Sequence, residues 1–446
     1  MIQAKKNKWI KPGLYTTLDN FSTVILGFIG FYILARILTK ADFGVWVLFT
    51  SIVSILETLR VGFVRQPFIA YLATANEQDR DHVATSALLL NTAYSFLISI
   101  ALFLLAMPIE AFWTASPLST LLKIYAITNL IYIPFSHFEY LQQSHFEFKG
   151  IFLSRLIRFL IPTLFIGFTA FTNGVIDLDS LAWVNLVGSI MAAVACTFFG
   201  WMYRHKITTQ IAVHVKSMYG FGKYSFGTNL GSLLMRNMDS WMLGKMISTA
   251  AVASYNPAIR VSNLVEIPTL TVANLVFPKM AQNFKNDDHS YSTKLYEQSV
   301  GILLAIMIPL AILMFIFSDW IVLIIAGENY LESGFFLKIT ALYTFFIPFA
   351  RQFGIFLDAV RRPHLNFYFT ISTVLLSFAL NFLCIQNYGV VGAAYGTLAT
   401  YFVRFIFQQF LLNQLFSIST FRIIKDIPAM YVVTFNKAKT IIFRHG

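Results

Sequence analysis

The chain's most constraining feature is a succession of apolar runs, each long enough to cross a bilayer. Twelve are legible, at Leu14–Leu38, Phe43–Thr74, Val83–Met107, Leu118–Tyr140, Ile151–Phe171 and Ser180–Tyr203. The others are Phe221–Ile247, Val252–Met280, Gln298–Phe317, Phe335–Leu357, Leu365–Ile385 and Val390–Leu412. A hydrocarbon core about 30 Å thick takes about 20 helical residues. Backbone in lipid must satisfy its own hydrogen bonds, and a helix does so within one segment. The expected class is an all-α integral membrane protein of about 12 transmembrane helices. Only 12% of the residues are charged, against about a quarter in soluble domains, so a separate soluble domain is not expected.

The net charge of +12 does not point to nucleic acid, because the basic residues alternate by loop. Lys5, Lys6, Lys8 and Lys11 precede the first span, and Arg204, Lys206 and Lys216 follow the sixth. Arg361 and Arg362 follow the tenth. The intervening loops, such as "PIEAFWTASP" and "QNYG", have almost none. That is the positive-inside pattern, with both termini cytoplasmic. Arg36, Lys40 and Lys245 break it and read as snorkelling side chains. Span 1 reads as a signal anchor without a cleavage site. The stretch "IPAMYVVTF" in the basic tail is too short to span and reads as interfacial. Cys196 and Cys384 fall in different spans, so no disulfide is expected.

The chain is also a doubled unit. "LARILTKADFGVW" (34–46) aligns with "LGKMISTAAVASY" (243–255), placing Leu34 on Leu243 and Trp46 on Tyr255. "LKIYAITNLIYIPF" (122–135) aligns with "LKITALYTFFIPF" (337–349) after one gap. The expected organisation is a six-helix bundle at 1–215, a second at 216–412, and a basic cytoplasmic or interfacial tail at 413–446. Six is even, so the halves share one orientation, with a central cavity expected between them. Such an architecture points to a transporter, and no catalytic residue, metal site or cofactor is expected.

Charges inside the spans mark the candidate site. Each costs about 2.5–3.5 kcal/mol at a span centre on insertion scales. Arg236 and Asp239 stand three apart in span 7, and Glu57 and Arg60 stand three apart in span 2. That spacing allows a local ion pair on one helix face. Span 2 also carries Arg65, span 8 Arg260 and Glu266, and span 1 Asp19. Spans 1, 2, 7 and 8 are expected to face one another. Arg60, Arg65, Arg236 and Arg260 are candidates for a cationic cavity, because a guanidinium stays charged and grips phosphate oxygens with a planar fork. Asp239, Glu57, Glu266 and Asp19 are candidates for coupling to H⁺ or Na⁺. Gly227 with Gly231 and Gly392 with Gly396 form GxxxG pairs. Pro134 and Pro348, at matched positions, are candidate kinks.

"NMDSWMLGKMISTAAVASYNPAIRV" resembles the span 7–8 signature of bacterial polysaccharide transporters. These are the Wzx-type flippases of the multidrug/oligosaccharidyl-lipid/polysaccharide (MOP) superfamily. The matching positions are Asp239, Gly244, Ser248, Tyr255, Ala258 and Arg260. "LARILTKADFGVW", "AGENYLESGFFLKI" and "LDAVRRP" are similar to the family elsewhere. The chain departs from it at Ala253-Ser254, where a Gly is usual before the Tyr. The resemblance implies a MATE/flippase-like fold and export of an undecaprenyl-diphosphate-linked oligosaccharide for O-antigen, capsule or exopolysaccharide. It implies as partners the lipid-linked substrate, membrane lipids and polysaccharide polymerase or chain-length machinery, in the bacterial inner membrane.

Two other readings stay open on sequence. A MATE-type drug exporter shares the expected fold but would favour an acidic cavity. A membrane polysaccharide polymerase or ligase would need a long external loop, and none is present.

Overall fold

A computed structural model describes residues 2–172, 174–209, 212–282, 290–360, 362–419, 421–425 and 427–428. The expected interfacial segment at 427–435 lies almost wholly outside them. The described helices, in order, are α1 (Ile2–Ile37), α2 (Lys40–Arg60), α3 (Gln66–Thr74), α4 (Glu77–Trp113), α5 (Leu118–Ser144), α6 (Phe148–Phe171), α7 (Leu178–Gly200) and α8 (Ala212–Met246). They continue as α9 (Thr249–Val265), α10 (Ile267–Gln282), α11 (Ser290–Ile316), α12 (Ser318–Ala326), α13 (Ser333–Thr344), α14 (Ile347–Ala359), α15 (Pro363–Tyr388) and α16 (Val390–Phe416). Each of the twelve expected spans falls on one of these helices or on a broken pair. Among the described residues nine helices are long and apolar enough to cross a membrane, or ten if α13 and α14 form one bent span. α8 and the α9–α10 pair, which carry Arg236, Asp239, Arg260 and Glu266, are not among them.

The chain divides into two compact units. One is Met1–Leu233 with Ser248–Ala253, and the other is Leu234–Ile247 with Ser254–Gly446.

In the first unit α5 packs against both α4 and α7, and α6 packs against α1 and α7. Close approach is bought by small residues. A side chain at Gly188 of α7 would press on the Arg158 carbonyl and Pro162 of α6, and one at Gly44 would overlap the Thr249 carbonyl. The motif at 34–46 owes its form to a helix start. Thr39 caps α2, its hydroxyl accepting from the Asp42 amide at 3.1 Å. Ser248, at the aligned position, accepts from the Ala251 amide at 3.2 Å before α9. Both satisfy an amide left over in a helix's first turn. Span 2 is interrupted by a π-helical turn at Val61–Arg65, just before Pro67.

In the second unit the GxxxG pair of α16 lies against α15. A side chain at Gly392 would overlap the Cys384 carbonyl, and one at Gly396 would meet Asn381. The matched prolines behave differently. Pro134 sits inside the continuous α5. Pro348 stands in the first turn of α14, after a break that bends the chain by 43°. A first-turn proline loses no helical hydrogen bond. The apolar core around Tyr296, Phe349, Phe353, Phe356 and Phe416 joins α11, α14 and α16. Phe349 meets Phe405 at 4.8 Å between ring centroids, and Phe356 meets Phe416 at 4.8 Å.

Candidate functional site

The first unit gathers four arginines and three carboxylates from α1, the span 2 helix, α5 and α6. Arg155 of α6 bridges two acids, 2.6 Å from Asp19 of α1 and 2.6 Å from Glu139 of α5. Arg158, one turn on, donates to Glu57 of α2 at 2.5 Å. Its guanidinium lies 4.5 Å from the Tyr132 ring centroid. Arg60 is buried and donates to the side chain and carbonyl of Asn129. Asn129 in turn donates to the Ser95 carbonyl and the Ser99 hydroxyl, each at 2.8 Å. The Arg60 guanidinium also stands 5.2 Å from the Tyr132 ring and 5.6 Å from Tyr94, within cation–π range. Arg65, ending the π turn, donates to Gln143 at 2.9 Å.

Burying these charges is tolerable because they are paired. An isolated ion in such surroundings would cost several kcal/mol. Arg60 differs from Arg155 and Arg158: it faces an amide and two aromatic rings rather than a carboxylate.

The second unit holds a looser arrangement. Asp239 of α8 is buried and accepts from the Thr397 hydroxyl at 2.8 Å and the Tyr255 hydroxyl at 3.2 Å. Thr397 lies 3.5 Å from the amide nitrogen of Asn381. Glu266, at the break between α9 and α10, meets Arg351 of α14 at 3.6 Å. Arg404 donates to the Ala350 carbonyl at 3.4 Å. The Tyr343 and Tyr401 rings stack 5.0 Å apart and nearly parallel, at 10°.

The i,i+3 spacing that suggested local pairs is resolved otherwise. Glu57 reaches across to Arg158 rather than along α2 to Arg60. Asp239 takes two hydroxyls from other helices, while Arg236 is exposed on α8. Arg260 is half-buried on α9. Within the first unit the structure therefore gathers Asp19, Glu57, Arg60 and Arg65 into one region of polar contacts. Asp239 and Glu266 are held by different partners. Sequence reasoning missed Arg155 and Arg158 as site residues. A signal was present, since they too stand three apart at the start of span 5.

The 209-residue offset that aligns Leu34 with Leu243 also aligns Glu57 with Glu266. Glu57 lies in α2 one turn before the π turn, Glu266 at the break between α9 and α10, and both meet an arginine from a later helix.

Comparison with known proteins agrees with this architecture. The chain is 24% identical over 256 residues to the probable low-salt glycan biosynthesis flippase Agl15 of Haloferax volcanii, covering 56% of this chain and 52% of that one. It is 21% identical over 419 residues to the lipopolysaccharide biosynthesis protein WzxC of Escherichia coli, covering 91% and 81%. Its fold is similar to that of the lipid II flippase MurJ in an inward closed conformation, with TM-score 0.75 and 15% identity over 96% of this chain and 92% of that one. At that identity the likeness shows the fold alone. The family model described as polysaccharide biosynthesis protein matches residues 33–334, more than half of the 446 residues, and the chain belongs to that family.

Proposed function

We propose that this multi-pass membrane protein is a flippase. It moves an undecaprenyl-diphosphate-linked oligosaccharide from the cytoplasmic to the outer leaflet by alternating access. The observation that carries the reading is the family match on a chain whose fold is similar to that of a lipid II flippase. The name of the relative Agl15 supports it. The same match favours it over a drug exporter of similar fold.

In this reading Arg60, Arg65, Arg236 and Arg260 are the candidates that draw in the diphosphate. Arg60 suits the role because its present partners are neutral and an incoming anion displaces no carboxylate. Asp239 suits coupling to H⁺ or Na⁺, since two hydroxyls and, among the described residues, no cation hold it. Asp19, Glu57 and Glu266 are secondary coupling candidates, as each already has an arginine. With both termini cytoplasmic, as the loop charges imply, outward movement of each uncompensated negative charge gains about 2.3 kcal/mol per 100 mV. A polysaccharide polymerase and its chain-length machinery would receive the product.

The test is glycan delivery in a host lacking its own flippase for that glycan. The chain should restore surface glycan, and Arg60→Ala or Arg260→Ala should abolish delivery at unchanged membrane abundance. Normal surface glycan in both variants would overturn the cationic site. Asp239→Asn should leave protein in the membrane but make transport insensitive to an imposed proton or sodium gradient. Retained sensitivity would remove Asp239 from coupling.

A further inference from the structure

The first unit carries an open apolar groove between α5 and α7, of about 810 Å³. Leu130 and Pro134 form its α5 wall, and Val194, Phe198 and Trp201 its α7 side and end. Its lining is almost wholly apolar, with Thr197 the one hydroxyl among the lining residues. Val194, Phe198 and Trp201 are 66%, 77% and 54% exposed, so the groove faces outward. Both walls are helices of membrane-spanning length and apolarity. The surroundings are therefore hydrocarbon, and the occupant must be a hydrocarbon chain.

The groove's ends narrow that occupant. Its α7 lining runs from Ile190 to Trp201, about 16 Å at 1.5 Å per residue. That is about half of a 30 Å hydrocarbon core, the depth of one leaflet. At the Trp201 end the chemistry changes sharply. The Arg204 guanidinium lies 5.1 Å from the Trp201 ring centroid. Lys206 is exposed two residues on. The Asp81 carboxylate accepts the Lys206 backbone amide at 3.3 Å. Tyr203 stacks on His145 at 4.6 Å between centroids. Tryptophan and tyrosine beside basic side chains are what a helix presents at head-group level, and basic pockets at helix ends bind anionic head groups.

We infer that this groove is a binding site for one anionic phospholipid of the adjacent leaflet. One acyl chain lies between α5 and α7, and the phosphate is held by Arg204 and Lys206. One-leaflet depth favours a phospholipid over an undecaprenyl tail, which is much longer than a leaflet. The site is separate from the arginines that would meet cargo, so a lipid there is a resident partner of the fold.

The experiment is native mass spectrometry of the detergent-purified full chain exposed to phosphatidylglycerol or phosphatidylethanolamine. Wild type should retain phosphatidylglycerol several-fold more than phosphatidylethanolamine. Val194→Trp, which fills the groove from an exposed position, should lose the retained lipid. If that variant is not recovered folded, Phe198→Ala is the substitute and should weaken retention. The double variant Arg204→Ala/Lys206→Ala should keep a lipid but lose the preference for phosphatidylglycerol. Equal retention by the groove variant and wild type overturns the site. Displacement of phosphatidylglycerol by equimolar undecaprenyl phosphate overturns the phospholipid assignment.

Discussion

The two compact units handle buried charge in opposite ways. The first ties its acids to arginines at 2.5–2.6 Å, with Arg155 closing on two carboxylates at once. The second leaves Glu266 3.6 Å from Arg351 and, among the described residues, holds Asp239 by two hydroxyls. The aligned segments share a hydroxyl-capped helix start and a glutamate near the break in the span that follows. The charges around that glutamate differ. At the repeat offset, Arg236 and Asp239 stand where the first half has Gly27 and Gly30. The first unit is thus built as a closed electrostatic network. The second keeps a carboxyl, Asp239, whose described hydrogen-bond partners are the neutral hydroxyls of Thr397 and Tyr255.

The sharpest way to break that comparison is to remove one arginine from each unit. Arg155→Ala strands Asp19 and Glu139 in buried surroundings and should cost about 3–5 kcal/mol. Arg351→Ala opens a looser, partly exposed pair and should cost about 1 kcal/mol or less. Thermal unfolding of the two variants in the same detergent measures the gap, and equal losses would end the distinction. Next in size are the glycines. Gly392→Ala drives a methyl into the Cys384 carbonyl and should cost about 1–3 kcal/mol. Gly27→Ala meets nothing within 4 Å and should gain up to about 1 kcal/mol of helix propensity. Opposite shifts in melting temperature are the expected result.

A double-mutant cycle sharpens the contrast further. Glu57→Gln with Arg158→Ala should show a coupling of about 1–2 kcal/mol, and Glu266→Gln with Arg351→Ala about 0.5 kcal/mol or less. The smallest effect concerns pH. Burial holds the His205 imidazole below its usual range, against a weaker opposing pull from Asp81. Its ring lies 5.0 Å from His137, where the second half has Arg351. A folded state that resists protonation loses stability as pH falls below the unfolded value of about 6.5, while nothing changes above it. Unfolding temperature should therefore drop slightly between pH 7 and pH 5.5, and His205→Asn should flatten that slope.

Much of this was legible in the sequence because lipid imposes local rules. The π turn at Val61–Arg65 was not, since span 2 reads as one continuous helix through its charged residues. The differing fates of Pro134 and Pro348 were not either. The two sequences around them are alike, and whether a proline bends a span depends on what packs beside it. The pairs escaped for another reason. An i,i+3 spacing says that two side chains can touch, and not that they do. Glu57 had Arg60 one turn away and took Arg158, 101 positions on.

The sequence by itself determined the membrane class and the residues charged within spans. Both follow from hydrophobicity and hydrogen-bond demands acting over one helix or less. Only the tertiary structure decided which arginine meets which acid, and that Asp239 meets none of those described. Asp19 and Arg155 are 136 positions apart, and helix packing alone sets which of several possible partners comes within reach.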